Sequence, residues 1–203
     1  MIECARVDLL DASSRLVRFT GADDPLWSGV IVLAPGESIV LADDGRHDLL
    51  VLNGTVGAGT RHMLEGGDFA IRNGATQLRA GTEGAQVLAY REAGGAHCDE
   101  IIVPRDERPW RAGRTPGMLI ANLCSTGHAL SLLLWQPGAR TRRHAHPGGE
   151  EIFVVRGELC EDERHPAGSW IRLHAGAWHS PHVETPTLIL VRSGHLKGRP
   201  KTS

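Results

Sequence analysis

Residues 137–157 read PGARTRRHAHPGGEEIFVVRG, and this stretch decides the kind of fold the chain makes. His144 and His146 stand one residue apart, Pro147-Gly148-Gly149 follows, and Glu150 and Glu151 open an apolar run that ends at Gly157. Side chains alternate along a strand, so the two histidines are expected on one face, about 7 Å apart. The Pro-Gly-Gly segment turns the chain sharply and Glu150 begins the next strand. Further on, Gly168, Gly176 and His179 keep a second fixed spacing. A third imidazole on a neighbouring strand completes three nitrogens and one carboxylate. That donor set suits Zn²⁺, Fe²⁺, Mn²⁺, Co²⁺ or Ni²⁺, with one or two positions left open to water or a ligand.

Outward from this stretch the same texture continues. "GVIVLAPGESIVLADDG", "HDLLVLNGTV", "GDFAIRNGATQLRAG" and "AQVLAYRE" lie before it, and "MLIANLC", "HALSLLLWQPG", "GSWIRLHAG" and "TLILVRS" lie around it. Each is a short apolar run closed by Gly, Asn or Asp-Gly, the pattern of strands and turns. The 25 glycines and 11 prolines in 203 residues favour an all-β chain over a helix bundle. Only "VDLLDASSRLVRF" (7–19) has room for a short helix. Residues 91–117, rich in charge, Gly and Pro, read as a connection with one edge strand at Ile101–Val103, and the tail 194–203 is expected to fray.

Two halves can be superposed in sequence. Gly36 aligns with Gly138, Gly66 with Gly168, Gly74 with Gly176 and Gln77 with His179, each at a shift of 102 residues, and Gly54 aligns with Gly157 after one gap. Two tandem β units are therefore expected, residues 1–95 and 96–203. The metal set is not duplicated. His146 meets Asp43 or Asp44, Glu150 meets His47 or Asp48, and His144 meets Leu41 or Ala42, so the first unit is expected to be structural and metal-free.

Net charge is −2, which gives no global field for nucleic acid or an anionic membrane; Arg140, Arg142 and Arg143 are only a local patch. No apolar run approaches the ~20 residues of a membrane-spanning helix, and the start "MIECARVDLLD" lacks the basic and apolar regions of a signal peptide. Cys4, Cys98, Cys124 and Cys160 are far apart and form no C-x-x-C, as expected of reduced thiols. A soluble, cytoplasmic protein is the expectation.

The patterns G-x5-H-x-H-x3-E-x6-G (Gly138 to Gly157) and G-x7-G-x2-H (Gly168 to His179) resemble those of the cupins. The finer text, with Gly-Gly-Glu-Glu, Asp162-Glu163, Trp170-x-Arg172 and His179 followed by Pro181-His182, is similar to the cupin domain of the ChrR-type anti-sigma factors. The resemblance implies two double-stranded β-helix (jelly-roll) barrels in one bicupin, with a single divalent metal, usually zinc, on His144, His146, Glu150 and His179. His174 stands where the second cupin motif often has proline, and Val183 where it often ends in asparagine, so the barrel rim departs from the pattern. The helical zinc domain with H-x3-C-x2-C that grips a sigma factor has no counterpart in these residues, and the anti-sigma role is not carried over.

Three functions follow. The first is a sensing module whose metal answers a small molecule or an oxidant and whose state a regulatory protein partner reads. The second is a metal-dependent cupin enzyme such as a non-haem iron dioxygenase. The third is a structural metal alone. Arg142 shares strand parity with His144 and, with Trp170 and Arg172, is a candidate for the pocket; the other aromatic residues are assigned to the core. Cys160 reads as a small buried side chain, and a homodimer through flanking strands is expected.

Overall fold

The protein, described by a computed structural model, is defined over residues 1–9, 16–42, 45–59, 62–93 and 99–197. Of the stretch 7–19 that could hold a helix, residues 10–15 lie outside these residues and Leu16–Arg18 is a strand instead; residues 198–203 of the tail, Asp43, Asp44 and Cys98 also lie outside. All elements among the described residues are strands apart from one 3-10 turn, Arg105–Glu107. Among the described residues no helix is long and apolar enough to cross a membrane.

The chain divides into two compact units, Asp8–Glu107 and a second made of Met1–Val7 with Arg108–Ser203. This differs from the division at residue 95 in one instructive way. The first strand, Ile2–Arg6, pairs antiparallel with Ser169–Leu173, so the N-terminus belongs to the later unit's sheet. Nothing local in "IECAR" announces a partner more than 160 residues away, because backbone pairing is not written in side-chain periodicity.

In the first unit the sheet runs Leu16–Arg18, Leu26–Leu33, Thr76–Ala93, Gly45–Ala58, Phe69–Asn73 and Ile101–Val103, with Ser38–Leu41 and Met63–Glu65 pairing off this path. The edge strand expected at Ile101–Val103 is thus present. Alternate residues from these strands, among them Ile31, Leu33, Leu49, Val51, Ala70, Val87 and Ala89, make one apolar cluster.

In the second unit seven strands lie in the order Ile2–Arg6, Ser169–Leu173, Glu150–Arg156, Thr187–Ser193, Ala129–Trp135, Met118–Cys124 and Arg111–Ala112. Two short ladders complete it: His144–Ala145 with Trp178–His179, and Glu158–Cys160 with Arg164–Pro166. One sheet face supplies the core through Ile152, Val154, Ile171, Leu173, Ile189 and Val191. The other face is also buried but holds charge: Glu151, Arg172 and Arg192 lie beside Phe153, Trp170 and Leu190.

The internal repeat has backbone counterparts. Gly36 and Gly138 both sit at positive φ, +71° and +82°. Gly36 N donates to Gly81 O and Gly138 N to Val183 O, again 102 residues apart. At Gly66 the sequence alignment slips by one, because the left-handed residue is Gly67, matching Gly168.

Candidate metal centre

The Gly148-Gly149 pair explains how one strand end and the next strand start are brought together. A Cβ on Gly148 would lie 2.6 Å from Gly194 Cα, and one on Gly149 would lie 2.7 Å from Leu196 Cβ with φ already at +68°. Gly149 N donates to His146 O at 3.0 Å, closing the turn, while Leu196 N donates to Gly148 O at 2.9 Å. The turn is therefore clamped between the histidine strand and the chain after Ser193. Gly149→Ala is expected to destabilise the protein by roughly 1–3 kcal/mol, the scale of a strained left-handed residue, before the clash is counted. Urea unfolding monitored by tryptophan fluorescence measures this.

Four side chains converge above the turn. His144 is directly across the ladder from His179. His179 Nε2 lies 3.0 Å from His144 Nε2 and 3.2 Å from His146 Nε2. Glu150 enters from the next strand, with Oε2 3.3 Å from His146 Nε2 and Oε1 3.8 Å from His179 Nε2. The three histidines offer donor atoms all within 4.8 Å of one another. Donors that share one ion at about 2.1 Å lie about 3.0–3.4 Å apart.

The ring tautomers decide what this arrangement needs. His144 Nδ1 is 2.9 Å from the Arg142 carbonyl oxygen, and His179 Nδ1 is 3.0 Å from Glu161 Oε1. Both oxygens accept, so both Nδ1 atoms donate, and in each neutral ring Nε2 presents a bare lone pair. Two such lone pairs at 3.0 Å repel unless a cation lies between them. Burial, then the neighbouring His179 and His144, pushes His146 down to about 4. Burial likewise pushes the Glu150 carboxyl up to about 7, with His179 opposing and Glu161 adding to the rise. The residues fit a divalent metal, and Glu161 and the Arg142 carbonyl are the orienting partners that ligating imidazoles usually have. The burial is uneven: Glu150 and His179 are buried, whereas His144 and His146 are only partly so.

Residues 98–197 match the family described as the ChrR Cupin-like domain. This is a cupin-type domain. No curated protein matches the chain. Among solved structures, the cupin 2 conserved barrel domain protein from Leptotrichia buccalis superposes with a TM-score of 0.68 at 15% identity, over 94% of this chain and 95% of the other. Salicylate 1,2-dioxygenase from Pseudaminobacter salicylatoxidans gives 0.70 at 11% identity, over 88% and 76%. Oxalate decarboxylase from Bacillus subtilis gives 0.61 at 14%, over 85% and 68%. At such identities the likeness is one of fold.

The cupin domain's inner positions have different occupants in the other unit. Glu150 lies across from Leu173 and Ser193, and the inward residue with the corresponding partners, Arg72 and Arg91, is His47. His47 Nε2 is 2.9 Å from the Ala42 carbonyl oxygen, while Asp48 pairs with Arg46 at 2.7 Å. Where His144 and His179 face each other, the inward pair is Leu41 and Thr76; Gln77 pairs with Val40 and is exposed. The alignment of Gln77 with His179 is therefore one residue out of phase.

Of the three pocket candidates, only Arg142 stands beside the histidines, lining a recess with His144. Trp170 and Arg172 do not, because Glu151, not Glu150, is the cross-strand partner of Arg172. Arg172 Nε donates to Glu151 Oε1 at 2.8 Å and its guanidinium lies 5.1 Å from the Trp170 ring. His174 Nε2 sits 2.5 Å from Glu3 Oε1, well occupied away from the centre. Cys160 is 3% exposed, as expected, and burial raises its thiol above the usual value. Glu161 was missed by sequence reasoning. Its only signal is its place in the acidic run Glu161-Asp162-Glu163.

Sequence reasoning also missed a buried charge cluster. Glu151 is fully buried, with Arg172, Arg192 and His195 around it, and His195 Nε2 lies 3.6 Å from Glu151 Oε1. Burial holds His195 down to about 4, although Glu151 pulls upward and Arg192 and His128 add to the depression. Between about 4 and the free value of 6.5 the unfolded chain binds a proton that the folded chain refuses. This part of the stability is complete above pH 6.5 and is lost as pH falls towards 4. His195→Gln is expected to flatten the pH dependence of the urea midpoint in that interval.

Proposed function

We propose that the protein is a mononuclear metal-binding bicupin that takes a small molecule onto an ion held by His144, His146, Glu150 and His179 in its second unit. The first unit, with Leu41, His47 and Thr76 at the matching inward positions, is the degenerate, structural half. The observation behind an open rather than sealed site is the partial exposure of His144 and His146 beside a recess of about 510 Å³ that His144 lines. A metal serving the fold alone has no use for such access.

The reading best supported is a metal-dependent cupin enzyme. The fold is shared with a dioxygenase and a decarboxylase, both named for small carboxylic acids. When bound, the ion supplies Lewis acidity and, if iron or manganese, a place for O₂ to meet substrate. Zinc, iron, manganese and nickel all suit the donor set. The chain's own contribution is to hold the Nε2 lone pairs of His144 and His179 inward through Nδ1 hydrogen bonds, with His146 Nε2 against them, and to keep Glu150 beside them as fourth donor or base. A sensing role, with a regulatory protein reading the ligand state, is the second reading, suggested by the sequence resemblance to ChrR-type regulators.

Oxygen uptake by protein loaded with each metal, in the presence of small carboxylic, carbonyl and phenolic compounds, separates the two readings. Turnover that vanishes in His146→Ala supports the enzyme. Stoichiometric metal without turnover under any loading supports the sensor.

A further inference from the structure

The recess beside His144 is lined by Arg114, Arg140 and Arg142, together with Thr115 and Thr141, and among the described residues no acidic side chain lines it. All three arginines are exposed, and among the described residues none of them has an ion pair. Their neighbour Arg143 is different, because its guanidinium lies 5.2 Å from the Trp178 ring. Arg140 and Thr141 also line an adjoining recess of about 290 Å³ with Ser180 and His182. Concentrating three positive charges on one concave surface is unfavourable in a chain whose net charge is −2, unless something negative comes to lie among them. Guanidinium forks match the paired oxygens of carboxylate and phosphate. The threonine hydroxyls add donors of the same use.

We propose that this recess binds a small, multiply charged oxyanion, of carboxylate or phosphate chemistry, and presents it to the side of the metal centre where His144 stands. The proposal rests on the metal-centre reading above for its destination, but the recess itself is made of residues that hold no metal. Arg114 and Arg140 come from separate segments, before Met118–Cys124 and after Ala129–Trp135, so their meeting is a product of the fold. Arg142 links the two features directly, since its carbonyl oxygen accepts from His144 Nδ1 while its side chain lines the recess.

The test is calorimetric titration of the full-length, metal-loaded protein with malonate, with inorganic phosphate and with neutral malonamide. Metal content is measured on the same samples. Saturable binding of malonate, phosphate or both is expected, weakening with salt, with no heat from malonamide. Preference between the two anions identifies an organic acid or a phosphoryl compound as the natural chemistry. In Arg114→Gln/Arg140→Gln the affinity is expected to fall at least about tenfold, the loss of one charge-assisted contact or more, with metal stoichiometry unchanged. Absence of binding by either anion, or undiminished binding in the double variant, overturns the proposal. Wild-type protein without metal contradicts the metal-centre reading instead, and the anion titration on that same protein still decides whether the recess binds.

Discussion

His179→Ala is expected to lower metal affinity by at least about a hundredfold and to leave the purified protein without stoichiometric metal. His179 is the member of the set with the most partners. Its Nε2 faces the Nε2 atoms of both other histidines and Glu150 Oε1, and its Nδ1 bonds Glu161. Alanine removes a donor and strands Glu161 and Glu150 beside one another. His146→Ala is expected to behave alike, whereas His174→Ala and His182→Ala should keep their metal. Glu161→Gln provides the graded case. It leaves all four donors in place and disturbs only the orientation of His179, for which a loss of about 10–100-fold in affinity is expected. Competition against a chromogenic chelator measures all five variants on one scale.

The second large effect concerns stability. Glu151→Ala is expected to destabilise the second unit by about 3–5 kcal/mol, read as a lower urea midpoint at neutral pH. Glu151 is fully buried, and alanine would take from the buried guanidinium groups of Arg172 and Arg192 the carboxylate between them, leaving Arg172 the longer contact with Glu3 at 3.9 Å. The cost is that of the stranded cations more than of the lost attraction. A double variant, Glu151→Met with Arg172→Met, removes both signs of charge and is expected to recover a substantial part of the loss. Since Glu151 faces away from the donor cluster, as its pairing with Arg172 and not Leu173 shows, metal stoichiometry should survive in whatever fraction remains folded.

The difference between Glu150 and Glu151 shows how much could be read from sequence. Strand alternation after the Gly-Gly turn assigns the two carboxylates to opposite faces, and the H-x-H spacing with His179 downstream is enough to nominate the convergent set. Local runs of apolar residues likewise reveal most strands, including the short edge at Ile101–Val103. The partners of the other face were not legible, because Arg172, Arg192 and His195 meet Glu151, and His128 meets His195, only through three-dimensional packing. Trp170 and Arg172 were accordingly assigned to the pocket when they belong to that buried face. The strand Ile2–Arg6 illustrates the same limit at the level of the backbone, since its pairing with Ser169–Leu173 depends on hydrogen bonds that any residue can make. In the first unit the slip from Thr76 to Gln77 came from counting residues between glycines without knowing which faced inward.

Elemental analysis of protein purified without added metal tests the central claim most directly. One equivalent of a divalent transition metal or zinc per chain is expected, absent from the His146→Ala variant. A folded wild-type protein that neither contains such an ion nor takes one up on addition would contradict it.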